Sequence, residues 1–79
     1  MQKKALKPLP NLVAARRNKD LTQEELAERV GIDRSVISNM ERGYSLPSLP
    51  VAYLISVELE KPMEHLFFNQ NVQKLSKSA

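Results

Sequence analysis

Arg34, Ser35, Ser38 and Asn39 stand at positions i, i+1, i+4 and i+5, a spacing that on a helix gathers them on one side. Their chemistry is hydrogen bonding rather than bond breaking. An arginine fork suits the edge of guanine, an asparagine amide suits adenine, and serine hydroxyls serve base edges or phosphates. The bland alternative for such a row is a solvated helix face. Nothing else in the chain offers a reaction: no nucleophile stands beside a base and no glycine-rich phosphate loop is present, so the sequence does not read as an enzyme. Cysteine is absent, which excludes disulfides and thiolate zinc sites and fits a reducing cytoplasm. His65 alone cannot hold a metal, and neither metal nor cofactor is expected. Glu24, Glu25 and Glu28 fall early in a helix, where negative charge is favourable, and read as a solvated face rather than an acid-base pair.

The stretch Leu21–Gly43, LTQEELAERVGIDRSVISNMERG, must position that row. Thr22 followed three residues later by Glu25 forms a capping box, with Leu21 placed to pack back on Leu26 as a staple. Leu26, Ala27 and Val30 repeat at helical spacing, and Gly31 is suited to the left-handed stop. Asp33 is a good N-cap for a second helix, Ile37 and Met40 supply its buried face, and Arg42-Gly43 ends it on a basic turn. Two short helices joined through a glycine turn describe a helix-turn-helix, whose second helix enters the major groove in DNA-binding versions.

Seventy-nine residues make one small domain whose single core is marginal without support from a partner. The net charge is +3, but its distribution says more than its sum. Lys3, Lys4, Lys7, Arg16, Arg17 and Lys19 precede the first acidic residue, and the remainder of the chain is net acidic. Affinity for a polyanion must therefore come from the N-terminal segment and from clustering around the second motif helix. No apolar run approaches the roughly 18 residues that span a bilayer, and no signal-peptide core is evident, so no membrane is expected.

Residues 1–10 read as a basic arm, stiffened by Pro8 and Pro10, either solvated or reaching a minor groove. Asn11–Asn18 reads as the first helix, with Leu9, Leu12, Val13 and Ala15 or Arg16 toward the interior. Its exit lacks glycine, so Asp20 or Asn18 must take the left-handed position. Tyr44–Ser48 reads as a loop. A fourth helix runs from Leu49 or Pro50 to Leu59, with proline in its first turn and more apolar residues than one core-facing stripe requires. Met63–Phe68 reads as a short fifth helix whose Met63, Leu66 and Phe67 close the core. Residues 69–79 form a polar tail or a helix extension, in which Val72 and Leu75 follow Phe68 at helical spacing.

Taken together, LTQEELAERVGI, RSVISNMERG, the PSL at Pro47–Leu49 and the closing EHLFF resemble the Cro/CI-type (XRE) family of helix-turn-helix DNA-binding domains. The resemblance runs from about Leu12 to Phe67 and implies an all-α, compact, five-helix lambda-repressor-like domain over 11–68. The helix-turn-helix falls at helices 2 and 3, over 23–42. It implies a cytoplasmic transcriptional regulator, most simply a repressor that binds double-stranded DNA at a palindromic operator as a homodimer. Control would come through its own concentration or a regulatory protein partner.

By position, Gln23 would meet a phosphate, Arg34, Ser35, Ser38 and Asn39 base edges or flanking phosphates, and Arg42, Tyr44 and Ser45 the backbone. Arg16 and Glu41 occupy positions that pair in similar domains. Asp20 and Glu60 stand where similar domains favour glycine. Leu54 and Val57 stand where they are usually polar, which with Phe68 and Val72 implies a dimer surface. A rival reading keeps the fold but makes the chain a protein-interaction module: an antitoxin, antirepressor or adaptor.

Overall fold

The computed structural model describes residues 8–68, and every regular element among them is helical. The order is α1 (Pro10–Asn18), α2 (Gln23–Val30), α3 (Arg34–Arg42), α4 (Leu49–Leu59) and a closing π turn (Glu64–Phe68). The expectations for residues 1–7 and for the tail at 69–79, Val72 and Leu75 included, lie outside the described residues. The folded part begins earlier than an arm over 1–10 allows. Leu9 is fully buried and its N–H donates to the Glu41 carbonyl at 3.1 Å, while Pro10 opens α1.

Local chemistry starts the helices. Thr22 Oγ1 accepts from the Glu25 N–H at 3.0 Å and Glu25 Oε1 accepts from the Thr22 N–H at 2.9 Å, completing the capping box of α2. Asp33 caps α3. Ser48, read from sequence as loop, caps α4: its hydroxyl oxygen accepts from the Val51 N–H at 3.4 Å, one residue pair upstream of Pro50 in the first turn.

All four α-helices end the same way. The N–H two residues past the last helical residue or its neighbour folds back to a carbonyl five residues earlier: Leu21 to Arg16, Ile32 to Ala27, Tyr44 to Asn39 and Lys61 to Ser56, at 2.8–3.2 Å. That geometry needs a left-handed residue at each exit. Gly31 and Gly43 supply it without strain, but Asp20 and Glu60 adopt it with φ of 58° and 57°. The left-handed form costs an L-residue roughly 1–2 kcal/mol, part of which glycine gives back as unfolded-state entropy. Glu60→Gly is therefore expected to raise stability by up to about 1 kcal/mol in urea unfolding, even though it removes the exposed Lys19–Glu60 ion pair. No gain would mean that the pair offsets the backbone strain.

The core is one cluster. α1 contributes Leu12 and Ala15, α2 Leu26 and Ala27, α3 Ile37 and Met40, and α4 Ala52, Ile55 and Leu59, with Leu9, Leu21, Leu66 and Phe67 filling in from the connections and the closing turn. α2 packs against α3 and α4, and α1 against α3 and the closing turn. The short fifth helix expected over Met63–Phe68 is present as this closing element, over Glu64–Phe68. It is a π turn, bonded i to i+5, and within it the consecutive residues Leu66 and Phe67 are both fully buried while Met63 is only partly so. Asn11 Nδ2 donates to the His65 carbonyl at 3.0 Å and so ties this turn to α1. That contact holds both ends of the described chain together.

Candidate nucleic-acid interface

The face of interest is built on α3, whose buried side is set by Ile37, Met40 and Glu41. With those turned inward, Arg34, Ser35, Asn39 and Arg42 lie exposed on the other side, with Ser38 half-buried at its edge. Gln23, the first residue of α2, is half-buried beside the start of α3, and its Oε1 accepts from Arg34 Nη1 at 3.2 Å. At the far end, the Arg42 guanidinium lies 5.9 Å from the Tyr44 ring centroid, a cation–π distance that draws the exposed Tyr44 toward the same edge. Ser45 is exposed next to it. The structure thus brings Gln23 and Arg34 together at the start of α3 and Arg42 and Tyr44 together at its end, with Ser35 and Asn39 exposed between them.

Ser35 is more constrained than its exposure suggests. Asp33 Oδ2 accepts both the Ser35 hydroxyl, at 2.6 Å, and the Ser35 N–H, at 3.0 Å. With its proton committed, the hydroxyl offers acceptor lone pairs outward, which suit an amino donor such as cytosine N4 or adenine N6 better than a phosphate oxygen. The same bonds act on Asp33. The Ser35 hydroxyl first, then the Ser35 N–H, and last the Arg34 charge hold its carboxyl below the ordinary value of 3.8.

A carboxyl depressed on folding stabilises the fold fully above its unfolded pKa, and that contribution is lost as pH falls through the lower folded value. Asp33→Asn keeps a good cap but removes the titration. Acid unfolding of wild type below pH 3.8 is therefore expected to include a component that Asp33→Asn lacks. Superimposable acid limbs for the two proteins would show that the cap carries no charge-dependent stability.

Behind the face sits a buried ion pair. Arg16 Nε donates to Glu41 Oε2 at 2.6 Å and Arg16 Nη2 to Glu41 Oε1 at 3.2 Å, a two-pronged contact between α1 and the end of α3. Arg16 Nη1 also donates to the Leu21 carbonyl at 2.8 Å, fixing the connection into α2. The Glu41 carboxylate takes a third donor, Gln23 Nε2, at 2.9 Å on Oε1. Two hydrogen-bonding roles of Gln23 were thus not anticipated from sequence, because both partners come from a different helix. One amide hydrogen remains for a phosphate.

The apolar residues of α4 divide as their number required. Ala52, Ile55 and Leu59 face the core, whereas Tyr53, Leu54 and Val57 are exposed and continue toward the exposed Leu49 and Leu46. Tyr53 and Leu49 were not singled out from sequence, although they lie four residues apart on the stripe that Val57 extends. Phe68 is half-buried against the core rather than free on the surface. Among the described residues, no group of His, Cys, Asp and Glu side chains is placed to hold a metal ion, and no helix is long and apolar enough to cross a membrane.

Comparison with known proteins bears on this geometry. A model of the helix-turn-helix family matches residues 12–66. An HTH-type transcriptional regulator of Methanothermobacter thermautotrophicus is 47% identical over 51 residues, covering 65% of this chain and 71% of the relative. One from Archaeoglobus fulgidus is 44% identical over 48 residues, covering 61% and 68%. Among solved structures, the restriction-modification controller protein C.AhdI from Aeromonas hydrophila superposes with a TM-score of 0.65 at 35% identity, covering 72% of this chain and 86% of that one. A hypothetical transcription factor, NHTF from Neisseria, gives 0.65 at 29% identity, covering 87% and 77%.

Proposed function

The chain belongs to the Cro/CI-type (XRE) helix-turn-helix family, and from that premise we propose that it is a repressor that reads a palindromic DNA operator as a homodimer. A helix-turn-helix transcriptional regulator binds double-stranded DNA and is not an enzyme. The observation that carries the finer reading is the exposed border of α3, where Arg34, Ser35 and Asn39 stand at the helix surface with Gln23, Arg42 and Tyr44 at its two ends. A recognition helix inserted in the major groove presents such side chains to base edges while its ends meet the sugar-phosphate strands. The protein occupies its operator and so excludes polymerase. Arg34, Ser35, Ser38 and Asn39 read bases, and Gln23, Arg42, Tyr44 and Ser45 position the backbone.

Selection of bound duplexes from a random pool at moderate salt tests this reading. A palindrome with half-sites one helical turn apart, about 10 base pairs, is the expected product. Recovery of no shared sequence would reduce duplex binding to a non-specific contact and favour the protein-interaction module, an antitoxin, antirepressor or adaptor in the same fold.

The dimer surface is the outer stripe of α4, where Tyr53, Leu54 and Val57 are 59%, 44% and 52% exposed. Three large apolar side chains in one row exceed the scatter of single surface hydrophobes, and a twofold reader of a palindrome needs a self-complementary patch. Leu54→Glu combined with Val57→Glu is expected to shift sedimentation from dimer to monomer and to leave helicity unchanged. An unaltered dimer would move the interface elsewhere.

A further inference from the structure

We propose that Glu41, buried behind the interface, sets the base preference of Arg34 by fixing which way round the Gln23 amide faces; the proposal rests on the duplex-reading function above. The amide of Gln23 lies between two groups of opposite demand. On one side is Glu41 Oε1, 2.9 Å from Gln23 Nε2, and on the other Arg34 Nη1, 3.2 Å from Gln23 Oε1. An ionised carboxylate only accepts and a guanidinium only donates. The amide therefore has one satisfactory orientation, with its NH2 toward Glu41 and its oxygen toward Arg34.

Arg34 stands at the first position of α3 on an exposed side chain with many rotamers, so what holds it decides where its donor fork points. The Gln23 oxygen is the holding group, and the orientation of that oxygen is dictated by Glu41. Glu41 is itself immobilised by Arg16, through Nε at 2.6 Å and Nη2 at 3.2 Å. A chain of hydrogen bonds thus runs from α1 through the end of α3 and the start of α2 to the exposed fork. Gln23 is then a positioning residue as well as a backbone contact, and Glu41 is one that meets no DNA at all.

The isosteric variant Glu41→Gln reverses the sense of the chain. Arg16 keeps the single remaining carbonyl oxygen against its Nε, the shorter of its two contacts, and loses the one from Nη2, which leaves an NH2 where Oε1 had been. Gln23 must then turn its oxygen toward that NH2 and its own NH2 toward Arg34, donor against donor. Gln23→Met removes the holding group while keeping side-chain length.

The test measures duplex binding by wild type, E41Q, Q23M and R34A on the selected operator and on duplexes altered at each base pair in turn. Partial unfolding lowers apparent affinity for every duplex by the same factor, so discrimination between duplexes is blind to stability loss. We expect E41Q and Q23M each to lose about threefold to tenfold in discrimination, the scale of one hydrogen bond, at the base pair where R34A loses it. Neither is expected to lose more there in the R34A background. Equal weakening on all duplexes, or lost discrimination at another base pair, would overturn the proposal; should E41Q not fold, the paired replacement Arg16→Met with Glu41→Leu, which removes Oε1 without stranding a charge, takes its place. Absence of any base preference in wild type would remove the duplex-reading function itself, a failure visible before any variant is examined.

Discussion

Arg16→Ala is expected to destabilise the fold by roughly 3–5 kcal/mol, the cost of breaking a buried ion pair from one side. The magnitude follows from burial: the side chains of Arg16 and Glu41 are 9% and 7% exposed, so water cannot replace the lost partner. Glu41 would keep the Gln23 N–H but lose both donors that neutralise it, and the Leu21 carbonyl would lose Arg16 Nη1. The other ion pairs among the described residues give the contrast. Lys19–Glu60 and Arg29–Glu58 have one partner 73% and 57% exposed, and each is expected to contribute between zero and about 1 kcal/mol.

Thermal and urea unfolding check this directly. In a domain of this size about 1 kcal/mol moves Tm by roughly 4–8 °C, so Arg16→Ala should melt more than about 12 °C below wild type. A loss under about 1 kcal/mol would put the pair in the class of its surface counterparts. The paired replacement of Arg16→Met with Glu41→Leu leaves no stranded charge and should recover most of the loss. Recovery of the fold without recovery of base discrimination would separate the structural role of the pair from its influence on Arg34.

What could be read from the sequence was what closes within a few residues. The capping box of Thr22 and Glu25, the caps at Asp33 and Gly43 and the stop at Gly31 each depend on neighbours along the chain, and each stands where the pattern put it. The cap at Ser48 is equally local, a serine two residues before a first-turn proline, but the adjacent Pro47 makes the same stretch an equally good loop signal. The surplus of apolar residues on α4 was legible as a surplus; which of them turn outward depends on how α4 packs against α2. The contacts that join distant segments had no local signal. Asn11 reaches the His65 carbonyl 54 residues away and Gln23 reaches Glu41 across 18, and in both cases the partner is chosen by packing rather than by sequence order. The Arg16–Glu41 pair was accessible only through family likeness, since an arginine in the first helix and a glutamate in the third could as well have faced solvent.

Arg34→Ala is expected to cost about 1–3 kcal/mol per half-site on the preferred operator and much less on an operator altered at the contacted base pair. Arg34 is exposed at the N-terminal end of α3, the end that meets base edges in groove-inserted helices, and its fork is steadied by Gln23 rather than consumed in an ion pair. Removing it exposes no buried charge, so stability should change little, and the loss should appear in binding. Salt dependence distinguishes the two ways an arginine can act there. A phosphate contact releases counterions, so its removal lowers the slope of log affinity against log salt by about 0.9 and weakens all duplexes alike. A base contact leaves preferred and altered operators closer in affinity than before. A slope change of that size with unaltered preference would assign Arg34 to the backbone, and the reading of sequence would then have to fall to Ser35, Ser38 and Asn39.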